Sequence, residues 1–393
     1  MKSKTGQPVR GADFFDRDAE LAEVWHMVDR DHVLMLAPRR VGKTSMLLRM
    51  RDEPREGWQV SFLDVESVDS ESRFVARLLA AVYRLKPDGA FWAKLGDRFE
   101  SFFNRIGGVG VGPVEVELGR EIGGDWQRVG DTMLRMLGKL GQPTLLAIDE
   151  FPIFVRRLVA QEDGEERTRL LLDWFRAVRI DPEIAESGVH FLLAGSVGLD
   201  AVVHRFGMSG TINDLRIFRL GELSYEQAEE LLDRLAKGES FALTPEVKER
   251  ILSLVTWRIP YHLQLVFDQL LRWVRFHDRE LSADLVDEAF EELLSSESRK
   301  HFSHWEERLK DPLLPPQERS LMTALLAAAA KDETGIGEST IRQLRSEHAT
   351  EVNEQSLLIE LERDGYLTLD GDRWRFASAL LRHWWLRWKV SES

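Results

Sequence analysis

Val33-Leu34-Met35-Leu36-Ala37-Pro38-Arg39-Arg40-Val41-Gly42-Lys43-Thr44-Ser45 passes from four apolar residues into a loop, and an amphipathic segment, Ser45 to Met50, follows. The order reads strand, loop, helix. A loop ending Gly-Lys-Thr at that point suits the β- and γ-phosphates of a nucleoside triphosphate. Backbone N–H groups at the helix N-terminus face the anion, the lysine neutralises charge, and the threonine hydroxyl ligates magnesium. The pattern G-x-x-x-x-G-K-[ST] asks for Gly where this chain has Ala37, and a Cβ disfavours positive φ. The competing reading is a chance tripeptide in a long chain.

A second stretch decides between them. Pro143-Thr144-Leu145-Leu146-Ala147-Ile148-Asp149-Glu150 is a buried-strand pattern ending in two acids, about a hundred residues after the loop. Asp149 is then placed to ligate magnesium and its water, and Glu150 to orient the attacking water as a base. Acids opening a helix at Phe151 would also be favoured by its dipole. Both motifs in this order point to a P-loop NTPase that binds ATP and magnesium.

Composition sets the bounds. At 393 residues, with 43% hydrophobic and 31% charged content, the chain is an ordinary globular protein of two or three domains. No window reaches the ~18–20 apolar residues that span a bilayer, and no apolar segment follows the basic N-terminus. With no cysteine, disulfides and thiolate chemistry are excluded. A reducing, cytoplasmic setting is the expectation, with no membrane partner. The ten histidines lack metal-ligand spacing; His301 and His304 come nearest. A net charge of −14 argues against binding nucleic acid through the whole surface.

Strand and helix patterns alternate from Val33. Strands are expected at Val33–Leu36, Trp58–Val65, around Asp149, at Val189–Ala194 and at Ile217–Leu220. Helices are expected at Ser45–Arg51, Ser70–Tyr83, Ala90–Ile106, Trp126–Leu140 and Arg167–Arg179. Residues 107–118 alternate with period two around Gly112-Pro113 and read as a β-hairpin. Apolar strands alternating with helices predict a parallel sheet covered on both faces, with ligands at the strands' C-terminal ends. After Gly221 the strands stop. Residues 222–310 are helical, Asp311–Pro316 is a linker, and 317–393 reads helix, helix, helix, hairpin, the outline of a winged helix-turn-helix. The expected domains are therefore a core at 1–221, a helical lid at 222–310 and a winged helix at 317–393.

The order of motifs resembles the prokaryotic ATPases of the STAND and origin-recognition-like branch of the AAA+ superfamily, the archaeal-type ATPase family. The resemblance rests on Phe14–Leu21, Pro38-Arg39-Arg40-Val41-Gly42-Lys43-Thr44-Ser45, Asp149-Glu150-Phe151-Pro152, Trp174-Phe175-Arg176-Ala177-Val178-Arg179, Gly195-Ser196, Asn213-Asp214-Leu215, Leu223-Ser224, Pro260-Tyr261-His262-Leu263-Gln264 and the tail ending Trp384-Trp385. It implies an αβα P-loop core, a helical lid and a C-terminal winged helix, with ATP between core and lid. By position it assigns Lys43 and Thr44 to the phosphates and magnesium, Asp149 and Glu150 to the water, and Ser196 to sensing the γ-phosphate. Pro260 marks the lid turn near the adenine, and Pro38 to Gly42, Ser45 and Arg17 complete the ATP contacts. Three departures stand out. Ala37 replaces the first loop glycine and is expected to slow exchange or distort the loop slightly. Asp16 replaces the Gly usual before Arg17. Arg258 replaces a lid glycine, and either sets a cation against the phosphates or fills a surface position.

Arg176 and Arg179 lie where a neighbouring subunit could offer an arginine finger; the alternative is pairing with nearby acids. The tail argues against reading DNA. Residues 317–393 hold ten Lys and Arg against thirteen Asp and Glu, and Glu354, Glu360, Glu362 and Asp364 of the candidate recognition helix would repel phosphates. Only Arg342, Arg345, Arg373 and Arg375 suit phosphate contacts. The aromatic, basic end Leu380–Lys389 reads as closing a core, with membrane-surface binding as the alternative. The expectation is a slow ATP-dependent switch acting through homo-oligomers or an effector protein. The alternatives are a DNA-binding ATPase and a nucleotide-binding scaffold with little hydrolysis.

Overall fold

The computed structural model describes residues 1–85, 111–196, 199–348 and 350–390. They form two compact units. One comprises Arg17–Leu36 and Lys43–Leu220; the other comprises Met1–Asp16, Ala37–Gly42 and Gly221 onward.

The first is an α/β unit. Its elements are α1 (Asp18–Val28), β1 (Val33–Leu36), α2 (Lys43–Asp52), β2 (Gln59–Asp64), α3 (Glu71–Tyr83), α4 (Val111–Ile122), α5 (Trp126–Gly138), β3 (Thr144–Asp149), α6 (Phe151–Val159), α7 (Gly164–Ile180), β4 (Val189–Gly195), α8 (Leu199–Arg205) and β5 (Arg216–Arg219). All five strands are parallel, in the order β2-β3-β4-β1-β5. β1 and β3 are buried at every residue, as a parallel sheet covered on both faces requires. Side chains alternate across the sheet. Leu34, Leu36, Leu146, Ile148, Phe191 and Leu193 join one core with helices α3 to α8, while α1 and α2 pack on the other side.

The expected hairpin at 107–118 is corrected. Residues 111–118 belong to the helix α4, and residues 107–110, like the expected helix at 90–106, lie outside the described residues. Leu118 and Ile122, four apart, are both buried in the core. Pro113 falls in the first turn, where a missing N–H costs nothing. The period-two run of valines therefore misled because Gly-Pro can open a helix as readily as turn a hairpin.

The second unit is helical: α9 (Tyr225–Gly238), α10 (Pro245–Leu254), α11 (Pro260–Phe276), α12 (Ala283–Glu292), α13 (Ser303–Leu309), α14 (Pro316–Lys331), α15 (Glu338–His348) and α16 (Glu354–Arg363). The antiparallel pair β6 (Leu367–Asp370) and β7 (Arg373–Phe376) follows, then α17 (Ala379–Trp385). Ile336 bridges Trp374, adding a third short partner to the hairpin. Caps mark the helix starts read from the sequence. Ser224 and Gln227 form a reciprocal capping box on α9, and Thr244 caps α10 ahead of Pro245.

Residues 222–310 and 317–390 lie in one unit, in which Arg308 of α13 binds Asp311, Glu360 and Asp364 at 3.2, 2.6 and 2.7 Å. Glu360 and Asp364 are thus held inside the protein rather than displayed on a recognition helix. The four arginines suited to phosphates are also paired: Arg342 with Glu338, Arg345 with Glu354, Arg373 with Asp332 and Arg375 with Asp370. At the chain's end, Trp384 and Trp385 are buried, with Trp384 stacked on Phe302 and Trp385 edge-on to Tyr366. That is the core-closing reading of the aromatic tail. Among the described residues no helix is long and apolar enough to cross a membrane.

Candidate functional site

The site forms where β1, β3 and β4 end. β3 runs Leu145-Leu146-Ala147-Ile148 through the buried sheet and delivers Asp149 at its C-terminal end, only 2% exposed. Thr44, on the first turn of α2, donates its hydroxyl to Asp149 Oδ2 at 2.6 Å. That turn carries no acid and begins with the buried Lys43. Its N–H groups and the dipole end of the helix favour an anion.

Asp149 is pushed up to about 6, first by burial and then by the charge of Glu150; the Thr44 hydroxyl and Lys43 oppose the rise, and Asp64 adds to it. A buried carboxylate flanked by two others, with a hydroxyl pointing at it, is short of positive charge. Its hard oxygen donors fit magnesium. Thr44 and Asp149 would hold the ion.

Glu150 stands at φ 56 and caps the start of α6. A left-handed backbone at a non-glycine residue persists only where its surroundings fix it. Here Phe151 packs among Phe74, Phe154 and Phe175, anchoring the residue after Glu150. On the other side, Pro152 lies against Gly195 at the end of β4, where a Cβ would fall 2.3 Å from Pro152 Cδ. Glycine is required there, and the close approach brings Ser196 Oγ to 3.4 Å from Glu150 Oε2. Lys43, Thr44, Asp149, Glu150 and Ser196 thus share one unit and one end of the sheet.

The other residues read from the sequence lie elsewhere. Arg179 is corrected: its side chain is 1% exposed and binds Asp214 through two nitrogens at 2.6 and 2.9 Å. It cannot reach a neighbouring molecule. His32 locks the same corner, with Nε2 donating to the Arg179 carbonyl at 3.0 Å and Nδ1 accepting from the Phe191 N–H at 3.2 Å. Arg176 remains partly exposed beside Asn213. Arg17 is buried and paired with Glu20 at 2.5 Å. In the helical unit, Arg258 donates to the Leu223 carbonyl and faces Glu222, which is the surface-filling reading. Pro260 opens α11. Val41 and Ser45 are buried; Pro38, Arg39, Arg40 and Gly42 are half-buried. Ala37 is not among the residues with positive φ; Arg40, at φ 68, is. The loop's strained position is therefore Arg40, and Ala37 needs no glycine. Asp16, where the resemblance expects glycine, stands at φ 20.

Sequence reasoning missed Asp64. It ends β2 in register with Asp149 and adds a third carboxylate to the strand ends. Phe62-Leu63-Asp64 repeats the apolar-strand-to-acid signal of β3 and could have revealed it. His301 and His304 belong to no cluster of three or more His, Cys, Asp or Glu among the described residues.

No protein-family model and no curated protein sequence matches the chain. Solved structures do. The Walker-type ATPase of Pyrococcus abyssi is similar over 96% of this chain and 98% of its own, with a TM-score of 0.65 at 18% identity. The likeness shows the fold. The ORC2 protein of Aeropyrum pernix, solved in ADPNP–ADP complexes, is similar over 98% of this chain and 97% of its own, with a TM-score of 0.49 at 12% identity. The Cdc6p protein of Pyrobaculum aerophilum gives a TM-score of 0.45 at 11% identity over 97% of each chain.

Proposed function

We propose that this chain is an ATP-binding, slowly hydrolysing switch of the STAND and origin-recognition-like AAA+ kind. The carrying observation is the 2.6 Å contact between Thr44 and the buried Asp149, whose carboxyl also feels the charges of Lys43 and Glu150. In this reading Lys43 and the first-turn N–H groups of α2 bind the β- and γ-phosphates. Thr44 and Asp149 orient magnesium, which when bound neutralises charge on the phosphate oxygens. Glu150 takes the proton of the attacking water, and Ser196 steadies its carboxylate. Slow turnover fits an Arg179 that is buried on Asp214 and does not serve as a finger.

The nucleotide state would control oligomerisation or engagement of a partner protein, with Arg176 the remaining candidate for action in trans. The tail serves packing or partner docking in this reading, since its arginines are paired and two of its acids are bound by Arg308.

Calorimetric titration with magnesium-ATP tests the assignment. Lys43→Ala removes a buried cation from the phosphates and should weaken affinity by about 30-fold or more, the effect of truncating one partner of a desolvated charge pair. Unaltered affinity would remove the loop from the site.

A further inference from the structure

The tip of the phosphate loop, Ala37–Gly42, packs with the helical unit. The guanidinium carbon of Arg40 lies 4.0 Å from the centroid of the Tyr261 ring, and its Nη1 donates to the His301 carbonyl at 2.8 Å. Tyr261 Oη and His301 Nδ1 share a hydrogen bond of 2.6 Å, so both partners of Arg40 are tied to each other. Two residues earlier, Pro38 lies against Gly365 of the winged helix. A Cβ at Gly365 would fall 3.0 Å from Pro38 Cβ and 2.7 Å from Trp257 Cη2, at φ +79. Among the described residues Arg40 makes no ion pair. Its charge is used on a ring face and a carbonyl while its backbone stands at φ 68.

We propose that Arg40 is a positioning residue for the nucleotide, and that its grip on Tyr261 and His301 holds the loop backbone in the shape that receives phosphates. The inference rests on the nucleotide-binding reading of the loop. A non-glycine residue at positive φ returns to negative φ unless its surroundings hold it there. A left-handed residue within a turn lets successive N–H groups converge on one anion, and relaxation at Arg40 would splay them. The side chain thus acts through the backbone, not on the phosphate. Because the grip is made by the helical unit, nucleotide affinity and the packing around Tyr261 are coupled, and linkage makes that coupling reciprocal.

The test uses the full chain, magnesium, and fluorescent ADP and ATP analogues. Arg40→Ala should weaken both by about tenfold, the factor that strain of this class carries. Arg40→Gly, which reaches positive φ without a grip, should stay within about threefold of the unmodified chain. Tyr261→Ala should weaken binding in the same direction but no further than Arg40→Ala, since the bond to the His301 carbonyl remains, and the double variant should be no more than about twofold worse than Arg40→Ala alone. Tyr261→Phe keeps the ring face and should keep most of the affinity. The proposal is overturned if Arg40→Ala loses ATP but keeps ADP, which marks direct contact with the γ-phosphate. It is also overturned if glycine and alanine at 40 are equally harmful, or if the two single effects multiply. If Tyr261→Ala does not fold, the ADP/ATP and Ala/Gly comparisons at position 40 still decide. Failure of the unmodified chain to bind either analogue better than Lys43→Ala overturns the nucleotide reading itself. Binding that needs Lys43 but ignores Arg40 overturns only the grip.

Discussion

Glu150→Gln is expected to lower phosphate release from ATP by about 10²–10⁴-fold, the usual contribution of a positioned general base, while nucleotide affinity changes little. The substitution keeps the shape of the side chain and removes its ability to take a proton. The backbone that aims it should not move. Phe151 remains anchored among Phe74, Phe154 and Phe175, and Pro152 remains against Gly195. The hydroxyl of Ser196 still finds an acceptor in the amide oxygen. Binding should survive for a further reason. The charge of Glu150 is the second cause of the raised Asp149 pKa, so its loss lets Asp149 ionise more readily and hold magnesium. Single-turnover phosphate release, run beside a binding titration, separates the two effects. Turnover that survives within tenfold would show that another group serves the water.

Acidification from pH 7 to pH 5 is expected to destabilise the protein, and the helical unit more than the α/β unit. Burial holds His262 down to about 3 and His32 to about 4, so both are neutral when folded. Unfolding restores a pKa near 6.5, so the unfolded chain binds more protons as the pH falls through that value. The stability present above pH 6.5 is therefore lost on the acid side, by about 2 kcal/mol per histidine at pH 5. Asp149 works in the opposite direction. Its folded pKa of about 6 lies above its unfolded one, so protonation below pH 6 returns about 1 kcal/mol to the α/β unit. In the helical unit Asp268, raised by burial, works in the same direction as Asp149, but His304, pushed down to about 2 by burial and by Arg40 and Arg39, adds to the loss from His262. Thermal melts followed by tryptophan fluorescence at pH 7.5 and pH 5 check this, because Trp257, Trp305, Trp384 and Trp385 all report on the helical unit. His262→Gln should flatten the pH dependence. A melting profile independent of pH would contradict it.

The sheet and the acid-ended strand were legible because both signals are local. A fully buried parallel strand reads as an unbroken apolar run, and a functional acid at its end interrupts that run visibly, as in Leu145-Leu146-Ala147-Ile148-Asp149. The glycine pattern was less instructive, because it names positions and not backbone angles. Ala37 drew attention as the departure, yet the left-handed residue is Arg40. Pairing across the fold stayed hidden for the same kind of reason. Nothing local says that Arg179 will find Asp214, or that Glu360 and Asp364 of the presumed recognition helix will both find Arg308. Those partners are 35, 52 and 56 residues apart. A still longer separation concealed Tyr261 and His301 as partners of the phosphate loop, His301 lying 261 residues from Arg40.

The central claim is that the end of β1 and β3 is a magnesium-ATP site. A crystal structure grown with magnesium and a non-hydrolysable ATP analogue tests it most directly. The account predicts phosphate density against Gly42, Lys43 and Thr44, with the Thr44–Asp149 contact of 2.6 Å opened by an intervening ion. Nucleotide bound elsewhere, with that contact intact, would contradict it.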